Sequence, residues 1–256
     1  MKIVIITVAG ISSRFNRDVP EENKILKCLY FEENPKDTLI YHMLEKADYS
    51  DRIVVVGGYK YDDLVDYISN NIPKNLQDKI ITVYNDHFSD LSSGYSLYLG
   101  IRESLDNFTD IDEMLFVEGD LDIDNESFNK VISCDKNVLT FNHEPIYSNK
   151  AVVLYQNEND EYHYLFNSDH GMLSLREPFK AIFNSGQTWK FNDMKLLKMA
   201  NDNFYENLID DTNLGIIQKY FDLLGDSDDI EIIGLKRWVN CNTRDDYKLI
   251  KSYWRE

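Results

Sequence analysis

Apolar residues in the first half of the chain fall into short β-branched runs separated by stretches with helical spacing. The run KIVIITV at 2–8 has the length and composition of one buried strand. Residues 38–46, TLIYHMLEK, place apolar side chains at helical intervals, and Thr38 is positioned to cap them. Further strands are predicted at 51–57 (DRIVVVG), 79–84 (KIITVY) and 113–118 (EMLFVE), with helices at 61–70 and 92–105 between them. A helix over 127–133 and a short strand over 137–141 complete this half. Strands alternating with helices predict βαβ units and an α/β fold with a mainly parallel sheet.

Beyond Asn142 the pattern changes. Two runs at 150–156 and 161–166, joined by Asn157-Glu158-Asn159-Asp160, predict a β-hairpin. A short strand is expected within 181–190, helices over 193–200 and 213–224, a strand at 230–233 and a closing helix at 245–253. No internal repeat or Pro/Gly-rich linker divides the sequence, so a single domain over 1–256 is expected.

Composition narrows the function classes. Of 256 residues, 43% are hydrophobic, enough for one large core. Lys+Arg number 27 against Asp+Glu 45, a net charge of −18 with no basic block, which argues against a nucleic-acid partner. That acidity does not exclude a nucleotide, because a local cation cluster reverses the field inside one cleft. Cys28, Cys134 and Cys241 are dispersed and form no CxxC, so neither a disulfide framework nor a zinc site is expected. Met1-Lys2 runs into a short β-like segment, and no apolar run approaches a membrane span. A cytoplasmic protein without a membrane partner is therefore expected. The five histidines, at 42, 87, 143, 163 and 170, show no paired spacing.

Three segments carry candidate chemistry. The first strand empties into Ala9-Gly10-Ile11-Ser12-Ser13-Arg14. A small-residue loop at the end of a parallel strand presents amides, hydroxyls and a guanidinium fork, the parts of an anion cradle. It matches neither GxGxxG nor GxxxxGK[ST], so a dinucleotide fingerprint and a Walker-type site are both unsupported. The second segment, Val117-Glu118-Gly119-Asp120-Leu121-Asp122, delivers a carboxylate at a strand end, where open α/β sheets bind ligands. Asp120 is a hard donor suited to Mg²⁺, Gly119 permits close approach, and Asp122 and Asp124 read as turn residues, with Asp122 able to face a second substrate. In the third, Trp238-Val239-Asn240-Cys241-Asn242-Thr243, the two Asn alternate with apolar residues and share a face, and Thr243 caps the next helix.

Together these segments resemble the nucleotidyltransferases of the sugar-phosphate and phosphocholine cytidylyltransferase type. That family opens AAGxGxRF, carries a strand ending in Gly-Asp and closes W-x-[D/E]-[I/V]-[D/N]-T-x-x-D. The chain has VAGISSRF, Gly119-Asp120 and WVNCNTRDDY in the same order. Its NDHFSDLSSGYSL at 85–97 is similar to the cytidylyltransferase stretch N-x-x-Y-x-x-T-N-N-x-x-S-L, and IVVVGGYKYDDL to the family's second strand and turn. Two departures stand out. Ser12-Ser13 replaces a glycine and a small residue, and the closing carboxylate is replaced by Asn240 or Asn242.

The resemblance implies a Rossmann-like fold with a central, mainly parallel (mixed) sheet flanked by helices and a smaller mixed β/α lobe. It divides the domain into a nucleotide-binding half at 1–142, an acceptor-binding lobe at 143–236 and a closing metal motif and helix at 237–256. It implies NMP transfer, from CTP by preference, to a small phosphorylated or phosphonate acceptor, with release of pyrophosphate. Val8, Ala9, Gly10, Ile11, Ser12 and Ser13 would hold the nucleotide with Ser92, Ser93, Gly94, Glu118 and Gly119. Arg14 and a lysine would carry the transferred charge. Lys27, in the K-x-L of Lys27-Cys28-Leu29, copies the family's motif and would lead into the same strand; Lys24 has the more usual distance from Arg14. Mg²⁺ would sit on Asp120 with Asn240 or Asn242. Acceptor contacts fall to Asp122, Lys150, Ser185, Gly186, Trp189 and Asp211. Aromatics at Tyr147, Tyr155, Tyr162, Tyr164, Trp189, Tyr205 and Trp238, with Asp210-Asp211, favour an aminoalcohol phosphate such as phosphocholine. A sugar-1-phosphate nucleotidylyltransferase and a non-catalytic nucleotide-binding module are the alternatives, as monomer or homodimer.

Overall fold

The computed structural model describes residues 1–147, 151–166, 172–225 and 227–255. The first half lays down the expected alternation: β1 (Lys2–Val8), α1 (Leu39–Ala47), β2 (Arg52–Gly57), α2 (Tyr61–Asn71), α3 (Lys74–Gln77), β3 (Ile80–Tyr84), α4 (Ser93–Asn107) and β4 (Glu113–Glu118). Then follow β5 (Leu121–Ile123), α5 (Asn125–Ser133) and β6 (Asn137–Asn142). The second half adds β7 (Val153–Asn157), β8 (Tyr162–Leu165), β9 (Phe179–Phe191), α6 (Met194–Asn207), α7 (Leu214–Leu224), β10 (Ile230–Leu235), β11 (Trp238–Asn240) and α8 (Arg244–Tyr253).

Among the described residues, nine strands form one sheet whose main order is β10-β6-β9-β4-β1-β2-β3. β1 pairs in parallel with β2 on one side and β4 on the other. Chain order therefore reverses at β1, which opens a crevice at the carboxyl ends of β1 and β4. Alternate residues of β1 enter opposite core layers. Val4, Ile6 and Val8 pack with α1, α2, α5 and α8, and Ile3 and Ile5 with α4, α6 and α7. The fold is α/β, with a mixed, mainly parallel sheet sandwiched between helices.

Three local expectations are corrected. The strand within 181–190 is a thirteen-residue β9 that runs antiparallel between β4 and β6. It joins the expected acceptor lobe to the central sheet. Asp122 is not in a turn: residues 121–123 form a small antiparallel sheet with 238–240, β5 with β11, in which Asn240 lies opposite Leu121. Lys27–Leu29 does not lead into a strand: it forms a 3-10 turn, with Leu29 N–H donating to Leu26 C=O and Tyr30 N–H to Lys27 C=O. The buried Cys28 between them packs into the same core layer as α1, and this anchors the turn.

Candidate active site

A cavity of about 930 Å³ opens at the carboxyl ends of β1 and β4. Val8, Ala9, Gly10, Ile11, Ser12 and Arg14 line one wall, as the sequence predicts. Ser12 takes a left-handed backbone, φ 57°, which glycine adopts freely and serine only with strain. Its hydroxyl compensates locally by accepting the Lys27 N–H at 3.1 Å, so the residue that departs from the family motif fastens the lysine turn to the loop. Ser13 is exposed and lies outside the cavity.

Lys27 reaches the cavity and Lys24 does not. The Lys27 ammonium donates to Asp120 Oδ2 at 2.6 Å, with both side chains about one-fifth exposed (19% and 21%). Lys24 is held at the surface by Glu21 at 2.5 Å. Gly119 brings Asp120 hard against β1, since a Cβ there would fall 2.3 Å from Val8 Cγ1 and 2.9 Å from the Thr7 carbonyl.

Asp120 and the closing motif meet through the small sheet. Cys241 N–H donates to the Asp120 carbonyl at 2.8 Å, which ties the closing motif to the turn after β4, and Asp120 and Asn240 both line the cavity. Asp120 Oδ1 and Asn240 Oδ1 are both buried without a hydrogen-bond partner among the described residues. Two unsatisfied hard oxygens at one cavity wall fit a divalent cation such as Mg²⁺, which keeps waters and takes few protein ligands. The site has no richer donor set: among the described residues no group of three or more His, Cys, Asp or Glu could hold a metal. Asn242 also lines the cavity; its backbone N–H donates to Asp246 Oδ2 beside the capping box of α8, a bond that does not involve its side-chain amide.

Glu118 sits on the cavity floor with its carboxylate shared between two amides. Gln187 Nε2 donates to Oε2 and Asn213 Nδ2 to Oε1, each at 2.8 Å. Burial, reinforced by the nearby Asp120 charge, pushes the Glu118 carboxyl well above the usual carboxylate range. Neither Gln187 nor Asn213 was expected from the sequence. Gln187 directly follows the expected pair Ser185-Gly186, and Asn213 lies two residues beyond Asp211, so the motif placed the segments and missed the side chains.

Several expected contacts lie elsewhere. Asp122 is buried behind the small sheet, where it accepts from Arg237 Nη2 and Trp254 Nε1, each at 2.9 Å. Asp124 caps α5 by accepting the Ser127 N–H. Ser185 and Gly186 are structural: the Ser185 carbonyl accepts from Asn142 Nδ2, and the Gly186 carbonyl from Trp238 Nε1 at 2.9 Å. Gly94 is pressed against Phe204 and the Asp211 carbonyl, off the cavity. Asp211 itself accepts the Thr212 N–H at 2.7 Å. Ser92 and Ser93 do line the cavity, as does Trp189, which stacks on Phe116 and donates to Tyr164 O–H. Lys150 lies outside the described residues. Of the expected aromatics, Tyr147, Trp189 and Trp238 face the cavity, joined by Phe166 and Glu144, while Tyr155, Tyr162, Tyr164 and Tyr205 do not.

Solved structures share this architecture over essentially the whole chain. The CTP:phosphocholine cytidylyltransferase of Streptococcus pneumoniae is 16% identical with a TM-score of 0.63, covering 99% of each chain. The inositol-1-phosphate CTP transferase of T. maritima is 16% identical at TM-score 0.66, covering 100% of this chain and 97% of that one. A Bacillus anthracis protein assigned as a glucose-1-phosphate thymidylyltransferase is 14% identical at TM-score 0.68, covering 100% and 96%. The fold is thus the nucleotidyltransferase fold. No curated protein matches the sequence at a significant level. The family model described as "Domain of unknown function (DUF6564)" matches residues 23–254, and the chain belongs to that family.

Proposed function

We propose that this protein transfers a nucleoside monophosphate, CMP from CTP by preference, to a small phosphorylated acceptor. The observation that carries the reading is the meeting, in one cavity at the β1/β4 crevice, of the 9–14 loop, Lys27, and the oxygens of Asp120 and Asn240.

An acceptor phosphate (or phosphonate) oxygen attacks the α-phosphorus. The new P–O bond forms as the bond to the β-phosphate breaks, and pyrophosphate leaves with that electron pair. The acceptor oxygen is already anionic, so no general base is needed and catalysis is positioning and charge neutralisation. Loop amides between Gly10 and Ser12, with Arg14, hold the β,γ-phosphates. Lys27 neutralises the α-phosphate as charge builds, exchanging its contact with Asp120 for one with substrate. Asp120 and Asn240 would hold Mg²⁺, which when bound supplies charge shared between the two reactants. Ser92 and Ser93 flank the base.

The acceptor end of the cavity combines Tyr147, Phe166 and Trp238 with Glu144. Aromatic faces with an acidic neighbour suit a cationic head, which supports an aminoalcohol phosphate such as phosphocholine. Asn184 also lines the cavity, and its amide suits a sugar hydroxyl; this favours a sugar-1-phosphate as the second reading. Pyrophosphate release measured over four NTPs, with phosphocholine, phosphoethanolamine and glucose-1-phosphate as acceptors, separates them. Turnover of CTP with an aminoalcohol phosphate is the expected result. Turnover with the sugar phosphate alone selects the second reading, and NTP binding without turnover on any acceptor overturns catalysis.

A further inference from the structure

We infer that Gln187 is a positioning residue that fixes which atom of the Asn240 amide faces the cation site. The inference rests on the proposed cation at Asp120 and Asn240. A carboxylate at the closing position would present oxygen whichever way it turned. An amide presents oxygen on one side and an N–H donor, useless to a cation, on the other. With Asn at this position, the chain needs a device that sets the amide's direction.

The contacts supply one. Both Glu118 oxygens accept from amide N–H groups, so the Gln187 amide turns its nitrogen towards Glu118, at 2.8 Å. Its oxygen then faces the closing motif, where Asn240 Nδ2 donates to Gln187 Oε1 at 3.5 Å, a long contact of defined polarity. Asn240 Oδ1 is thereby left pointing away from Gln187, buried and unpartnered, as is Asp120 Oδ1. The direction of one amide sets that of the next, starting from a carboxyl on β4.

Gln187 itself is held for this purpose. Its backbone is left-handed, φ 51°, and its N–H donates to Ser185 Oγ at 3.1 Å. A glutamine kept in a strained conformation at a cavity wall marks a position whose side chain is used.

The test is Mn²⁺ binding to the free protein, read from the electron paramagnetic resonance signal of the unbound ion, alongside thermal melts. Gln187→Met should weaken Mn²⁺ binding about 10-fold, the usual effect of losing a group that orients a ligand. Gln187→Gly should weaken it equally while the melting temperature stays level or rises, since glycine relieves the left-handed strain. In an Asn240→Asp background, adding Gln187→Met should cost less than about twofold, because a carboxylate needs no orienting. The inference is overturned if Gln187→Met stays within about twofold of the parent protein, or loses affinity equally in both backgrounds. If the parent protein and Asn240→Asp alike bind no Mn²⁺, the cation reading itself falls and takes the inference with it.

Discussion

Lys27 Nζ lies 2.6 Å from Asp120 Oδ2 across the cavity wall, although 93 residues separate them in the chain. In the proposed reaction each charge would be contested by a substrate: the ammonium by the α-phosphate, the carboxylate by the cation. The pair would then hold both groups at the cavity until substrates divide them.

Lys27→Met should therefore lower kcat/KM by roughly 10²–10³-fold, the scale of losing one preorganised charge-stabilising group. Lys24→Met, which removes only an exposed ion pair with Glu21, should stay within about twofold of the parent. Steady-state pyrophosphate release measures both, and a larger loss at Lys24 would exchange their roles.

Asp120→Ala should reduce turnover by about 10³-fold or more and abolish Mn²⁺ binding, with circular dichroism unchanged. Its carbonyl, which accepts the Cys241 N–H, survives the substitution, so the small sheet is expected to persist. Full activity in this variant would refute the cation assignment.

Asp122 is a different case from its neighbour two residues earlier. It is buried, with Arg237, Lys46 and Trp254 gathered on it, so Asp122→Ala leaves cations without their partner. Breaking such a buried pair should cost about 3–5 kcal/mol of stability, read from the denaturant midpoint. The KM for the acceptor should not change. A KM shift at unchanged stability would return Asp122 to the acceptor site.

His42 makes stability pH-dependent. Burial, then the nearby Lys46 ammonium, push its pKa down to about 4, and the ring stacks on Trp254 with centroids 3.9 Å apart. The folded value lies below the unfolded one of about 6.5, so the unfolded chain binds the proton more readily. Its contribution is intact above about pH 6.5 and is lost as pH falls towards about 4. Melting temperatures of the parent and His42→Phe should keep a constant offset above pH 7. Below that the parent should fall faster, and parallel curves down to pH 4.5 would contradict the assignment.

Much of the frame was legible in the sequence because it follows from local pattern. The β-branched runs predicted β1 to β4, helical spacing predicted α1, α2 and α4, and Thr38 and Thr243 cap their helices as expected, by accepting the Tyr41 and Asp246 N–H groups. The small-residue loop and Gly119-Asp120 were legible as cavity parts because a parallel strand always delivers its carboxyl end to the same edge of the sheet. The short β5 was not, since a three-residue strand has too little pattern to show and exists only through its pairing with β11.

The sequence by itself determined which segments face the cavity; tertiary structure decided which side chains act there. Lys27 was separated from Lys24 only by Asp120, in the turn after β4. Asn240 was set opposite the Gln187 amide. Asp122 was removed from the acceptor site by Arg237 and Trp254, and Gln187 was brought in by Glu118. In each case a polar side chain's role depends on the donor, acceptor or charge that folding sets opposite it. Those partners lie tens to hundreds of residues away, where local periodicity carries no information about them.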